Sequence, residues 1–199
     1  MPVLPENAFS FCSLSPDQTR RLGMGLGAQL RPGDVVCLQG ELGAGKTTFV
    51  QGLAAGWGSI DAVSSPTFLI VNVYRQKNGG QLFHFDTYRV ESPEEAEELD
   101  LDAMLSSGPL VIEWPERMEN LLPNERLWIK LEYTDTLNPL HPNQEPGLFH
   151  KDEGTLSAPS DERRELTFLP VGKHYVELLD EFCQSTFGTD DIIPITGVN

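Results

Sequence analysis

Basic residues are scarce in this sequence of 199 amino acids. It contains 14 lysines and arginines against 30 aspartates and glutamates, which gives a formal net charge of −16. A net charge of this sign and size repels a polyanion at long range. We therefore expect no tight, autonomous binding of nucleic acid.

Long apolar runs and paired cysteines are also missing. No stretch approaches the roughly 18 consecutive apolar residues of a membrane helix, and the start of the chain, MPVLPENAFSF, does not resemble a signal peptide. The cysteines Cys12, Cys37 and Cys183 are far apart and form no CxxC pattern, so neither a disulfide framework nor a zinc site is indicated. We expect a soluble cytoplasmic protein with reduced thiols.

The stretch GELGAGKT at residues 40–47 is the clearest chemical pattern in the chain. It fits G-x-x-x-x-G-K-[ST] without a mismatch. A glycine loop at a helix N-terminus presents backbone N–H groups to a phosphate, and a lysine adds a point charge. The residues predicted to contact the nucleotide are Gly40, Glu41, Leu42, Gly43, Ala44, Gly45, Lys46, Thr47 and Thr48.

The last three residues of this loop have separate predicted roles. We expect Lys46 to reach the β- and γ-phosphates, the Thr47 hydroxyl to bind Mg²⁺, and Thr48 to donate to the α-phosphate. DVVCLQ (34–39) before the loop is typical of a strand buried on both faces of a parallel sheet, and KTTFVQGLAAGW (46–57) after it has helical spacing. The loop is thus predicted to join a strand to a helix.

A helix is also predicted before this unit, and strands after it. Ser15 followed by Pro16 indicates a helix start, and we expect the glycines of that helix to let another element approach rather than bind a dinucleotide. Further along the chain the patterns predict a hairpin of TFLIVNVYR (67–75) and QLFHFDTYR (81–89), strands at PLVIEW (109–114), LWIKLEY (127–133) and ERRELTFLPVG, and a helix at KHYVELLDEFCQSTF.

The predicted organisation is one domain with an insertion. A P-loop core covers 1–133, a proline-rich surface insertion covers 134–161, a strand and a helix over 162–187 complete the same domain, and a loosely held tail covers 188–199. The acidic run EEAEELDLD (94–102) is interpreted either as the solvated face of a helix or as a docking surface for a basic protein.

Two acids stand at the ends of predicted strands, where ligands sit in open α/β sheets. Asp86 follows LFHF, and Glu113 follows PLVI in the manner of a Walker B acid. Hydrolysis needs a metal-side carboxylate and a group that orients the attacking water, and either acid could do the latter. Thr67, in SSPTF, lies where switch threonines sense the γ-phosphate; the alternative is an ordinary turn after Pro66.

Four stretches together resemble a known family. GELGAGKTTF, SSPTF, HFDTYR with the acidic SPEEAEEL, and LVIEWPER, in this order over about residues 15 to 133, are similar to the TsaE (YjeE) family of small bacterial P-loop ATPases. The resemblance implies a P-loop NTPase-like α/β fold, a three-layer α/β/α arrangement with a mixed parallel and antiparallel central sheet. It also implies a role in making threonylcarbamoyladenosine at position 37 of tRNAs that read ANN codons.

The resemblance further implies partners and site residues. The ATPase would act on the TsaD and TsaB proteins without transferring the carbamoyl group itself, and we expect a monomer when it is isolated. The implied catalytic residues are Lys46, Thr67, Asp86 and Glu113, the Mg²⁺ ligands are Thr47, Asp86 and Glu113, and Trp114 of the acid-Trp-Pro motif contacts the nucleotide. A core position remains the alternative for Trp114. His84 is predicted to be a strand residue rather than a base.

Two other functions fit the same loop. A P-loop kinase would pass the γ-phosphate to a small molecule, but it needs an acceptor pocket and usually a lid that carries arginines. The arginines considered for a lid, Arg75, Arg89, Arg117 and Arg126, are scattered. A nucleotide-gated binding module would use ATP only to order the segment around Thr67.

Overall fold

The computed structural model describes residues 8–64, 71–89, 100–134, 163–186 and 194–196. The predicted strand residues 67–70, residues 94–99 of the acidic run and the insertion lie outside these ranges, apart from Thr134 at the first position of the insertion. The helices are α1 (Pro16–Gly27), α2 (Lys46–Trp57), α3 (Leu101–Ser107) and α4 (Lys173–Thr186). The strands are β1 (Phe9–Ser13), β2 (Val35–Gln39), β3 (Val71–Arg75), β4 (Gln81–Asp86), β5 (Leu110–Glu113), β6 (Arg126–Tyr133), β7 (Arg164–Val171) and β8 (Pro194–Thr196).

All eight strands form one mixed sheet, in the order β3-β4-β5-β2-β6-β7-β1-β8. The central strands β4, β5, β2 and β6 are parallel, so their carboxyl ends meet at one edge. The hairpin β3–β4 extends the sheet antiparallel on one side, and β7, β1 and β8 extend it antiparallel on the other. The predicted mixed α/β sheet is confirmed.

Helices cover both faces of this sheet, which confirms the predicted three layers. Helices α1, α2 and α4 pack on one face, where Leu26, Phe49 and Phe182 are fully buried against the strands. On the other face Met104 of α3 packs against a smaller cluster that includes Phe85. Full burial of one such side chain stabilises the fold by roughly 1.5–3 kcal/mol. Among the described residues, no helix has the length and hydropathy needed to cross a membrane.

Helices α1 and α2 touch through their backbones. A Cβ added at Gly23 or Gly27 of α1 would overlap the carbonyl oxygen of Phe49 or Leu53, and one at Gly52 of α2 would overlap that of Arg20. Glycine is required here because only a hydrogen atom fits between the two helices. The predicted use of the α1 glycines for close approach is therefore confirmed. This close contact fixes the axis of α2 against α1.

Several boundaries differ from the sequence prediction. Strand β1 was not predicted; its pairing partners in β7 lie more than a hundred residues away, from Phe9 opposite Phe168 onward. Nor was the short strand β8 in the tail, which pairs with β1 on its other edge. The strand predicted over 81–89 ends at Asp86 and continues as a 3₁₀ turn over Thr87–Arg89.

Candidate functional site

The loop between β2 and α2 has the backbone shape of an anion cradle. Gly43 and Gly45 have φ angles of 83° and 101°, in the region that favours glycine. Gly45 is also the N-cap of α2, and no side chain caps this helix end. The first N–H groups of a helix have no intrahelical partner. Those of α2 therefore point, with the positive end of the helix dipole, at the space above the loop, where phosphate oxygens could accept from them.

Lys46 lies along the same loop. Its Nζ donates to the carbonyl oxygens of Gly40 and Glu41 at 2.7 and 3.0 Å, and the residue is only 4% exposed. Burial lowers the pKa of Lys46 below its usual value, while the carboxylates of Glu113, Asp86 and Glu116 oppose that shift. A buried ammonium with so little contact with water is strongly attracted to a polyanion placed beside it.

Glu113 joins the loop to the strand ends. The Thr47 hydroxyl donates to its Oε1 at 3.1 Å, and His84 Nε2 lies 3.1 Å from the same oxygen. Behind this pair, the Tyr74 hydroxyl lies 3.2 Å from His84 Nδ1. His84 and Glu113 are 0% and 3% exposed, so this is a buried polar chain that ends on a P-loop side chain.

Asp86 lies next to Glu113 because β4 and β5 pair with these two residues in register. Its Oδ1 accepts from the Tyr88 amide at 3.0 Å. Burial raises the pKa of Asp86 above its ordinary value; the Tyr88 amide lowers it, and the neighbouring Glu113 carboxylate raises it. Two adjacent carboxylates and a threonine hydroxyl are hard oxygen donors of the kind that Mg²⁺ takes together with phosphate oxygens and water.

These acids do not form a dedicated metal cage. Among the described residues, no group of three or more His, Cys, Asp or Glu side chains is arranged to hold a metal ion. Mg²⁺ is usually bound through one or two carboxylates together with substrate phosphates, and not by a cage of protein ligands. The set of Thr47, Asp86 and Glu113 fits this way of binding Mg²⁺.

Trp114 lies over the P-loop lysine and is not a core residue. Lys46 Nζ is 3.9 Å from the centroid of its ring. The centroids of the Trp114 and Tyr88 rings are 5.1 Å apart. Trp114 is the one non-glycine residue with positive φ in the described part of the chain, at φ 61° and ψ 47°. Thr87 Oγ1, 2.6 Å from the Trp114 carbonyl oxygen, helps hold this backbone. Such conformations cluster at functional sites.

A cavity of about 600 Å³ adjoins the loop on its β6 side. This volume lies in the usual range of small-molecule pockets. Its lining includes Gln39–Leu42, Trp114, Glu116 and Lys130–Tyr133. Across it, the Tyr133 hydroxyl would lie 2.9 Å from a Cβ added at Gly43, so the end of β6 closes against the tip of the P-loop.

The structure brings together most of the predicted site. Residues 40–48, Asp86, Glu113 and Trp114 surround one space at the carboxyl edge of the parallel strands. Thr67 and the side chain of Arg89 lie outside the described residues, so the predicted role of Thr67 stays a prediction.

Four contributors to this site were given no site role from the sequence, although His84 was correctly predicted to be a strand residue. His84 and Tyr74 hold Glu113 from behind, Thr87 binds the backbone at Glu113 and Trp114, and Arg164 Nε donates to the Ala44 carbonyl oxygen at 3.2 Å. Strand alternation could have found His84, since it is two residues from Asp86 and faces the same side. No local pattern points to Arg164, which reaches the loop from β7.

Comparisons with known proteins agree with this geometry. The family model for "Threonylcarbamoyl adenosine biosynthesis protein TsaE" matches residues 13–139, which is more than half of the chain. The tRNA threonylcarbamoyladenosine biosynthesis protein TsaE of Bacillus subtilis (strain 168) is 36% identical over 172 residues, covering 85% of this chain and 90% of that protein. The protein of the same name from Streptomyces coelicolor is 45% identical over 115 residues, covering 57% and 78%.

A solved structure is similar as well. The crystal structure of YdiB from Bacillus subtilis superposes with a TM-score of 0.64 at 29% identity, covering 89% of this chain and 95% of that one. The likeness to this solved structure covers most of both chains. The chain belongs to the TsaE family of threonylcarbamoyl adenosine biosynthesis proteins.

Proposed function

We propose that this protein is a Mg²⁺-dependent ATPase that serves tRNA threonylcarbamoyladenosine synthesis by acting on the TsaD and TsaB proteins. The observation that carries the proposal is the uncapped N-terminus of α2, with the buried Lys46 ammonium beside it and Thr47 hydrogen-bonded to Glu113. This arrangement offers converging N–H donors, one positive charge and oxygen ligands within one site.

The residues would divide the work as follows. Apart from the Ala44 amide, which donates to the Glu41 carbonyl oxygen at 3.1 Å, the amides of residues 41–48 would bind the phosphate oxygens, and Lys46 would neutralise charge on the terminal phosphates. Thr47, Asp86 and Glu113 would hold Mg²⁺, which when bound supplies further charge neutralisation at the β- and γ-phosphates. Because Thr47 gives its only hydroxyl hydrogen to Glu113, the lone pairs of its oxygen are left for the metal.

The net charge supports a protein partner rather than RNA. At −16 the chain would be repelled by tRNA, whereas complementary charge favours its association with basic protein surfaces. An ATPase that meets TsaD and TsaB, while those proteins hold the tRNA, is consistent with this balance.

Partner-dependent turnover is the direct test of the proposal. Phosphate release from MgATP should be slow with the protein alone and at least about tenfold faster with TsaD and TsaB, a change of about 1.4 kcal/mol in the barrier. Addition of candidate acceptor metabolites should not change the rate of phosphate release. Rapid phosphorylation of a metabolite would instead support the kinase alternative, and a rate indifferent to both partners would contradict the assigned role.

Conservative changes at the strand-end acids should separate chemistry from binding. Asp86→Asn and Glu113→Gln keep the shape of each side chain but remove its charge, so kcat should fall about tenfold or more while the Kd for ATP changes less. Steady-state kinetics and calorimetry measure the two quantities. Glu177→Gln on the exposed surface of α4 is the matched control. Unchanged kcat in both site variants would remove these acids from the site.

A further inference from the structure

We infer that His84 is a positioning residue which, held by Tyr74, fixes Glu113 so that the Thr47 oxygen faces the metal. The inference rests on the proposed function, since it concerns how the Mg²⁺ ligands are oriented. It assigns a task to a side chain that is 0% exposed, lies on β4 between β3 and β5, and has both ring nitrogens within 3.2 Å of a polar atom.

Hydrogen-bond chemistry places a hydrogen on Nε2, the ring nitrogen of His84 that faces Glu113. An ionised carboxylate can only accept, and Glu113 Oε1 lies 3.1 Å from His84 Nε2. A bare Nε2 would place two acceptors in contact inside a buried site, where an unsatisfied polar pair is costly. His84 therefore carries hydrogen on Nε2 and donates it to Glu113.

Tyr74 completes the orientation from the other side of the ring. Its hydroxyl lies 3.2 Å from Nδ1 and 3.0 Å from the Ser64 carbonyl oxygen. The hydroxyl donates its hydrogen to that carbonyl oxygen, which also accepts from Asn72 Nδ2 at 3.2 Å, so the tyrosine oxygen is held in place beside Nδ1. Burial raises the pKa of Tyr74, so the hydroxyl keeps that hydrogen. The Tyr74 oxygen beside Nδ1 and the Glu113 carboxylate beside Nε2 together define the orientation of the imidazole ring.

The effect of this arrangement reaches Thr47. Glu113 Oε1 accepts from His84 and from Thr47 at once, both at 3.1 Å, so its position determines where the threonine hydrogen points. A hydroxyl oxygen that donates toward Glu113 presents its lone pairs in other directions. Outer partners that orient metal ligands in this way typically contribute a factor of about 10–100 to metal affinity or activity.

Three variants separate this role from simple packing. His84→Leu removes the donor but keeps an apolar volume, His84→Gln keeps an amide N–H that can reach Glu113, and Tyr74→Phe removes only the hydroxyl behind the ring. Binding of Mn²⁺ in the presence of ADP, followed by electron paramagnetic resonance, should weaken about tenfold or more for His84→Leu. His84→Gln should restore affinity to within about threefold, with Tyr74→Phe in between. Affinity for ADP without metal should stay unchanged in all three.

The tautomer gives a readout that needs no ligand. Nitrogen NMR of the nucleotide-free wild type, assigned by comparison with His84→Gln, should show hydrogen on Nε2 of His84. A bare Nε2 would overturn the inference, as would wild-type Mn²⁺ affinity in His84→Leu or a Gln variant no better than Leu. A wild-type protein that binds neither ADP nor Mn²⁺ would overturn the proposed function together with it, whereas equal affinities in wild type and His84→Leu overturn the inference alone.

Discussion

Replacing Lys46 with alanine should abolish measurable binding of MgATP. The ammonium is buried and hydrogen-bonded to the carbonyls of Gly40 and Glu41, so it is held at the loop before any ligand arrives. Because little ordering is required, most of its attraction for the phosphates should contribute to affinity. We expect Kd, measured by calorimetry, to rise about 100-fold or more, which corresponds to about 2.7 kcal/mol.

Two further variants make this result specific. Lys46→Met keeps an unbranched apolar chain beneath Trp114 and should lose affinity as alanine does, which attributes the loss to charge rather than to packing. Lys173→Ala makes the same change of charge at an exposed position on α4 and should bind MgATP like the wild type. Undiminished affinity in Lys46→Ala would contradict the assignment of the loop to a nucleotide.

Replacing Gly52 with alanine should destabilise the fold by about 3 kcal/mol, despite the better helix propensity of alanine. At a solvent-exposed position of a helix, the same substitution would stabilise the helix by about 1 kcal/mol. Here the new methyl group would overlap the Arg20 carbonyl oxygen, a backbone atom that can move only if α1 moves. Urea unfolding followed by circular dichroism measures the free energy of unfolding.

Gly25→Ala is the matched comparison within the same helix pair. A Cβ at Gly25 would meet the Phe182 ring at 3.0 Å and Thr186 Oγ1 at 3.3 Å, both side-chain atoms that can shift. Its effect on the free energy of unfolding should therefore stay within about 1 kcal/mol. Equal stability of the Gly52 and Gly25 variants would show that the close contact of α1 with α2 does not require glycine at position 52.

The parts of the site that are local in sequence could be predicted. The P-loop needs only the order of its own glycines, lysine and threonine, and a capping serine before Pro16 suffices to begin α1. Asp86 and Glu113 were found because each ends an apolar strand, although their adjacency depends on the parallel register of β4 and β5.

The missed parts depend on strand pairing. Tyr74, His84 and Glu113 lie on three strands, and their contacts follow only once β3, β4 and β5 are placed side by side. Arg164 reaches the P-loop from β7, and β1 lies between β7 and β8. The β3–β4 hairpin was predicted from its turn, but the pairings of β4 with β5 and of β7 with β6 and β1 span longer separations and leave no periodic trace in either segment, so composition and spacing could not reveal them.

The position of β1 has a consequence for the order of assembly. During synthesis its backbone groups emerge before the strands that satisfy them, β7 and β8, which lie more than a hundred residues further along the chain. Until then a row of unpaired amides and carbonyls stays available to other chains, and closing so long a loop slows folding. A nascent chain halted after residue 133 would thus carry the loop of residues 40–47 without its contact to Arg164, beside a sheet whose unpaired edge promotes aggregation.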